Sequence, residues 1–233
     1  MIPGASTGSG RLAWRRRSLP VLIVAVSLAG PAGCSVFCVD ALHWLLGYNL
    51  YAIAEGRAYR SRQPDEALID HVVDELGIRT VVNLRGENAG KPWYDVEARR
   101  LEELGIRLVN IRTSASSPFS PEALLELYET FLTADEPILM HCQAGADRAG
   151  AAAAIWRMTV LGDSRQDALT ELDCLYGHFR EFTPAMDWVA EVFVADANWI
   201  RTEYDPSVFD ANQPDGRAGP RANRRIHPPG KNG

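Results

Sequence analysis

One stretch constrains this chain more than any other: Ile138-Leu139-Met140-His141-Cys142-Gln143-Ala144-Gly145-Ala146-Asp147-Arg148-Ala149-Gly150-Ala151. A short apolar run ends in His141-Cys142, a loop of small residues follows, and Arg148 stands six positions after the cysteine. An alanine-rich, helix-forming run begins at once. Strand, loop and helix in that order aim successive backbone N–H groups, together with a helix N-terminus, at one point in space. Such a point suits a phosphate dianion. Cys142 is placed there to act as a thiolate nucleophile, and Arg148 can grip two phosphate oxygens side by side. Gly145 and the flanking alanines keep side chains out of the cradle. The candidate substrate-binding residues are therefore Gln143, Ala144, Gly145, Ala146, Asp147 and Arg148, with Cys142 and Arg148 as the catalytic pair.

The rest of the chain alternates between strand and helix signals. Residues 58–60 form a short strand candidate. Pro64, Asp65 and Glu66 open a helix whose apolar face is Leu68, Ile69, Val72, Val73 and Leu76, closed by Gly77. Residues 80–84 read as a buried strand, 93–104 as a helix, 107–111 as a strand, 112–120 as a polar Ser-rich loop and 121–132 as a helix. After the strand at 138–141 come helices over 149–161, 164–176 and 184–200. Strands separated by helices imply right-handed crossovers and a mainly parallel central sheet flanked by helices, an α/β fold. Cys174 falls with Ala168, Leu169, Leu172 and Leu175 on the apolar side of the second of these helices, which assigns it to the core.

Residues 1–18 are Gly/Ser-rich and then basic, and an uncharged run follows from 19 to 39. A positive region before an apolar segment reads as a signal peptide or membrane anchor. Positive-inside logic then puts the body of the chain on the far side, membrane-anchored or exported to the bacterial periplasmic side. Cys34, preceded by Pro31-Ala32-Gly33, leaves lipidation open. If the segment is misread, the chain is cytoplasmic. Residues 40–50 form a connector, 51–204 the catalytic domain and 205–233 a disordered tail. The net charge is −6, but residues 21–204 alone carry about −12, which argues against nucleic-acid binding and weakly against polyanionic substrates. Four cysteines in 233 residues make no disulfide scaffold, and no zinc-ligand spacing occurs, so neither a metal nor another cofactor is expected.

His141-Cys142 followed by Arg148 resembles the signature loop of the cysteine-based protein tyrosine and dual-specificity phosphatases. Tyr59-Arg60-Ser61-Arg62-Gln63-Pro64 resembles an entry motif of a bacterial branch of that superfamily, and Asn83-Leu84-Arg85 resembles its strand end. The similarity spans about residues 55–180. It implies a phosphotyrosine-phosphatase-like fold and phosphate monoester hydrolysis through a phosphocysteine on Cys142. The implied substrate is a phosphorylated protein, phosphotyrosine first, or a small phosphate monoester. Two departures stand out. The region 109–121, where many relatives carry an acid, holds no Asp or Glu. Asp147 is the substitute, either as general acid or as a structural carboxylate bracing the loop. Ala149 replaces the usual Ser or Thr, which implies a slower second step. A catalytically weak phosphate-binding pseudophosphatase is the alternative. Arg60 and Arg85 could face the phosphate or brace the sheet, Arg62 reads as a brace, and His141 as a buried structural residue.

Overall fold

The computed structural model describes residues 47–210 and residue 212. The basic region, the apolar segment at 19–39 and most of the tail lie outside the described residues. Five strands form one sheet in the order β1-β2-β5-β3-β4: β1 (Tyr51–Ala54), β2 (Ala58–Ser61), β3 (Thr80–Asn83), β4 (Arg107–Asn110) and β5 (Ile138–His141). Only β1 runs antiparallel, against β2; the other pairings are parallel. The expected mainly parallel sheet flanked by helices is what the chain forms.

Alternation along the strands divides the core in two. Ala58, Val82, Ile138 and Met140 face one cluster, and Tyr59, Val81 and Leu139 face the other. The second face is covered by α1 (Glu66–Leu76) and α2 (Pro92–Glu103), through Leu68, Ile69, Val72 and Leu101. The first is covered by α3 (Pro121–Thr133), α4 (Asp147–Trp156), α6 (Pro184–Val192) and α7 (Ala197–Thr202). α4 sits deepest. Its alanines 151–154 are fully buried, so small side chains let neighbouring backbones close in from every side. The helix starts follow local chemistry: Asp65 Oδ1 accepts from Leu68 N–H at 2.9 Å, and Ser120 Oγ from Ala123 N–H at 3.2 Å.

Register is what builds the site. Ser61, His141, Asn83 and Asn110 lie in one row across β2, β5, β3 and β4. The residues that follow each strand therefore emerge along the same carboxyl-end edge, where parallel sheets place their ligands.

Four boundaries differ from the sequence reading. Tyr51–Ala54, at the very start of the expected domain, is a paired edge strand that the pattern does not reveal, because all four of its residues are only half-buried. Residues 164–176 are not one helix. They break into α5 (Arg165–Ala168) and 3-10 turns at Leu169–Glu171 and Cys174–Tyr176, with Leu172 at φ −104°, ψ 63° and Asp173 capping the last turn. The apolar periodicity across the break is thus not a helix face, and Cys174 is exposed rather than in the core. The helix expected over 184–200 is interrupted where Phe193 turns extended and Asp196 caps α7. Packing also continues past 204: Phe209 lies 5.8 Å from Trp188, ring to ring, so the tail does not begin at 205.

Leu139 is fully buried on the strand paired from both sides. Leu139→Ala is expected to cost about 2–5 kcal/mol, read from urea unfolding.

Candidate active site

Residues 142–146 leave β5 and return as α4. Cys142 is 2% exposed, and its Sγ accepts the Gly145 N–H at 3.2 Å. Gly145 is required here twice over. Its φ is +75°, and a Cβ would lie 2.6 Å from Arg62 N and Ser61 C. The loop is thus pressed directly on the end of β2.

Arg148 is fixed by one nitrogen and leaves its fork open. Nη1 donates to the carbonyl oxygens of Leu84 at 3.3 Å and Thr113 at 3.2 Å, while Nε is buried without a partner. The Nε/Nη2 edge is the one that meets two oxygens at once. Arg85 follows Leu84 and repeats the arrangement: Nη1 donates to Gln63 Oε1 at 2.9 Å, and the guanidinium lies 3.4 Å from the centre of the Trp93 ring. Burial and the neighbouring Arg148 charge lower the Arg85 pKa, partly opposed by Cys142 and Glu97. Among the described residues neither arginine is paired with a carboxylate.

Behind them runs a buried polar chain. Gln63 Nε2 donates to Glu97 Oε2 at 2.8 Å; Glu97 Oε1 lies 2.6 Å from His141 Nε2; His141 Nδ1 lies 3.4 Å from the Cys142 carbonyl oxygen. Glu97 and His141 are both fully buried. His141 is thus a buried link in this chain beneath Cys142.

Asp147, at the start of α4, is already engaged. Its Oδ1 accepts from His178 Nδ1 at 2.8 Å and Thr183 Oγ1 at 2.7 Å, and His178 Nε2 reaches Asp187 Oδ2 at 2.9 Å. Burial pulls the His178 pKa down, but hydrogen bonds and charge from the two carboxylates raise it to about 9. Burial likewise pushes Asp147 up, yet the bonds from His178 and Thr183 and the nearby positive charges hold it below the ordinary carboxylate value.

The structure thus gathers Cys142, Arg148, the loop 143–146 and Asp147 at one place. Gln143 is the exposed member of the loop. The Ser-rich loop reaches the same place through the Thr113 carbonyl, without supplying an acid. Arg112 donates to the Glu87 carbonyl instead of facing the nucleophile. Sequence reasoning missed Glu97, His178 and Asn49, and read Gln63 only as part of the entry motif. Only Glu97 left a signal, as a charge in line with Tyr94 and Leu101 on the buried face of α2. The others act over sequence separations that no local pattern records.

A buried cysteine at the end of a strand, an arginine fork without a carboxylate partner and a strand–loop–helix cradle define a cysteine-dependent phosphatase of the protein tyrosine and dual-specificity superfamily. A family model described as DSP-PTPase phosphatase fused to NAD+ kinase matches residues 41–183, and the chain belongs to that family. Among curated proteins it is 28% identical over 209 residues to the dual specificity protein phosphatase TpbA of Pseudomonas aeruginosa PAO1, covering 85% of this chain and 90% of that one. The crystal structure of P. aeruginosa TpbA superposes with a TM-score of 0.52 at 24% identity, covering 66% of this chain and 89% of that chain. The Siw14 catalytic core shares the fold, with a TM-score of 0.52 at 20% identity over 66% of this chain and 88% of its own.

Because the folded pKa of His178 is raised above 6.5, its contribution to stability is complete below that value and is lost as pH rises through about 9. The melting temperature of the wild type is expected to converge on that of His178→Gln between pH 7 and 10 by thermal unfolding.

Proposed function

We propose that Cys142, Arg148 and the loop 143–147 carry out phosphate monoester hydrolysis, with phosphotyrosine in a protein as the preferred substrate. The Cys142 thiolate attacks phosphorus in line. The S–P bond forms as the P–O bond to the leaving group breaks, and that oxygen departs with the bonding pair. Water then attacks the phosphocysteine, releasing inorganic phosphate and returning the thiolate. Arg148 and the loop N–H groups balance the charge on the transferring phosphoryl oxygens.

The observation that carries the substrate preference is the engaged Asp147. Its carboxylate is held ionised by His178 and Thr183, so it has no proton to give near neutral pH, and residues 109–121 offer no other acid. Without acid assistance the leaving oxygen must be stable as an anion. A phenol, with a pKa of about 10, meets that condition far better than the alcohol of serine. TpbA supports the same direction, since a cysteine-to-serine variant of it is solved in complex with pTyr. Asp147 is in this reading a structural carboxylate that ties α4 to the 178–187 segment.

Export or membrane anchoring rests on the basic region and the apolar run at 19–39. Among the described residues no helix is long and apolar enough to cross a membrane. A C-terminal reporter fusion tests the side of the membrane.

Wild type is expected to hydrolyse p-nitrophenyl phosphate under reducing conditions and Cys142→Ser to lose that activity; vanadate binding without turnover would instead favour the pseudophosphatase. Phosphotyrosine peptides are expected to exceed matched phosphoserine peptides by about a hundredfold or more in kcat/KM. Ala149→Ser is expected to raise turnover by speeding phosphocysteine breakdown, seen as a smaller burst relative to the steady rate.

A further inference from the structure

An anion cradle works only if its peptide units point the same way, and here the reason they do lies behind the loop. Asn49 Nδ2 donates to the Ala144 carbonyl at 2.9 Å and to the Tyr176 carbonyl at 3.0 Å. Arg60, fully buried, donates through Nη2 to the Gly145 carbonyl at 2.9 Å and the Ala146 carbonyl at 2.7 Å. Its Nη1 reaches the Glu171 backbone carbonyl at 2.6 Å and Glu171 Oε2 at 3.1 Å. The Gln63 N–H adds a bond to the Gln143 carbonyl at 3.2 Å. Four consecutive carbonyls of the loop are held this way.

In a trans peptide the N–H points opposite to the C=O. The Ala144–Gly145 unit shows the sense directly: its carbonyl is on Asn49, and its N–H is on Cys142 Sγ. Holding the neighbouring carbonyls likewise turns the N–H groups of Ala144, Ala146 and Asp147 away from these donors. Two further features serve the same arrangement. The Tyr176 ring lies 4.3 Å from the Arg60 guanidinium carbon. Gly150 leaves a notch in α4, where a Cβ would come within 2.8 Å of the Glu171 carbonyl and 3.0 Å of Arg60 Nη2. Asn49 occupies the left-handed region at φ 49° and is buried, so its amide is delivered by a backbone shape that few residues adopt.

We propose that Asn49 and Arg60 are positioning residues for the phosphoryl-transfer step, imposing the N–H polarity of the phosphate loop by gripping its carbonyl oxygens from behind. This rests on the phosphatase reading of Cys142 and deepens it. Neither side chain meets substrate; each acts through the peptide units it holds.

The test uses the full chain with vanadate and p-nitrophenyl phosphate as probes. Asn49→Gly keeps the backbone conformation and removes the amide. Asn49→Asp keeps the shape and sets an oxygen against the Ala144 carbonyl. Arg60→Lys keeps the charge facing Glu171 but cannot span the two loop carbonyls. Each is expected to weaken vanadate binding and lower kcat by about tenfold or more, with KM moving less, and Asn49→Asp most of all. Alkylation of Cys142 by iodoacetamide, a neutral probe, is expected to stay within about threefold at a pH high enough to ionise the thiol fully, when followed by mass spectrometry. Wild-type vanadate affinity in all three variants would overturn the proposal. So would a parallel loss of vanadate binding, iodoacetamide reactivity and melting temperature, which would mark a role in folding alone. If wild type itself fails on p-nitrophenyl phosphate, it is the phosphatase reading that falls.

Discussion

A loop whose N–H groups face the end of a strand must turn its carbonyl oxygens the other way, and in a protein interior those oxygens need donors. That constraint organises this molecule. The donors come from before β1, from β2, and from the turn after β2, and a counter-charge comes from Glu171 beyond α4. A buried guanidinium is costly unless it is paired and hydrogen-bonded. Arg60 meets that condition only where the loop carbonyls, the Glu171 carboxylate and the Tyr176 face converge. Burial pulls its pKa down and Glu171 pulls it back up, so the two groups define one another's place.

The front of the site obeys a complementary rule. Arg85 and Arg148 are cations without carboxylate partners, whereas Arg57, Arg99, Arg100, Arg157 and Arg201 all have them. Among the described residues an acidic body thus keeps Arg85 and Arg148 without a carboxylate at the carboxyl edge of its sheet. Leu84, whose carbonyl receives Arg148, also donates its N–H to the His141 carbonyl at 2.9 Å. The guanidinium is thereby referenced to the same strand that leads into Cys142.

How much of this the residues announce depends on range. The strand–loop–helix that carries Cys142, Gly145 and Arg148 is local, so its geometry is legible from spacing and residue type. The parallel sheet is legible because apolar runs alternate with capped helices. What fails is of two kinds. Cys174 and the 164–176 region mislead because apolar periodicity persists across a break made by backbone conformation at Leu172 and Asp173. Asn49 and His178 are invisible because their partners lie far along the chain and no local pattern links them, and Glu97 shows only as a charge on the buried face of α2. Asp147 is intermediate: its place in the loop is plain, but its engagement by His178 and Thr183 is not.

The turn between His178 and Thr183 has a mechanical consequence. Both of its ends grip the same oxygen of Asp147, the first residue of the helix that carries Arg148. Between them stand Phe179 and Phe182, packed 6.2 Å apart, with Phe182 71% exposed. This aromatic rim is therefore tied at both ends to the start of α4. A surface that presses on those rings pushes, through these two bonds, on the helix start that carries Arg148.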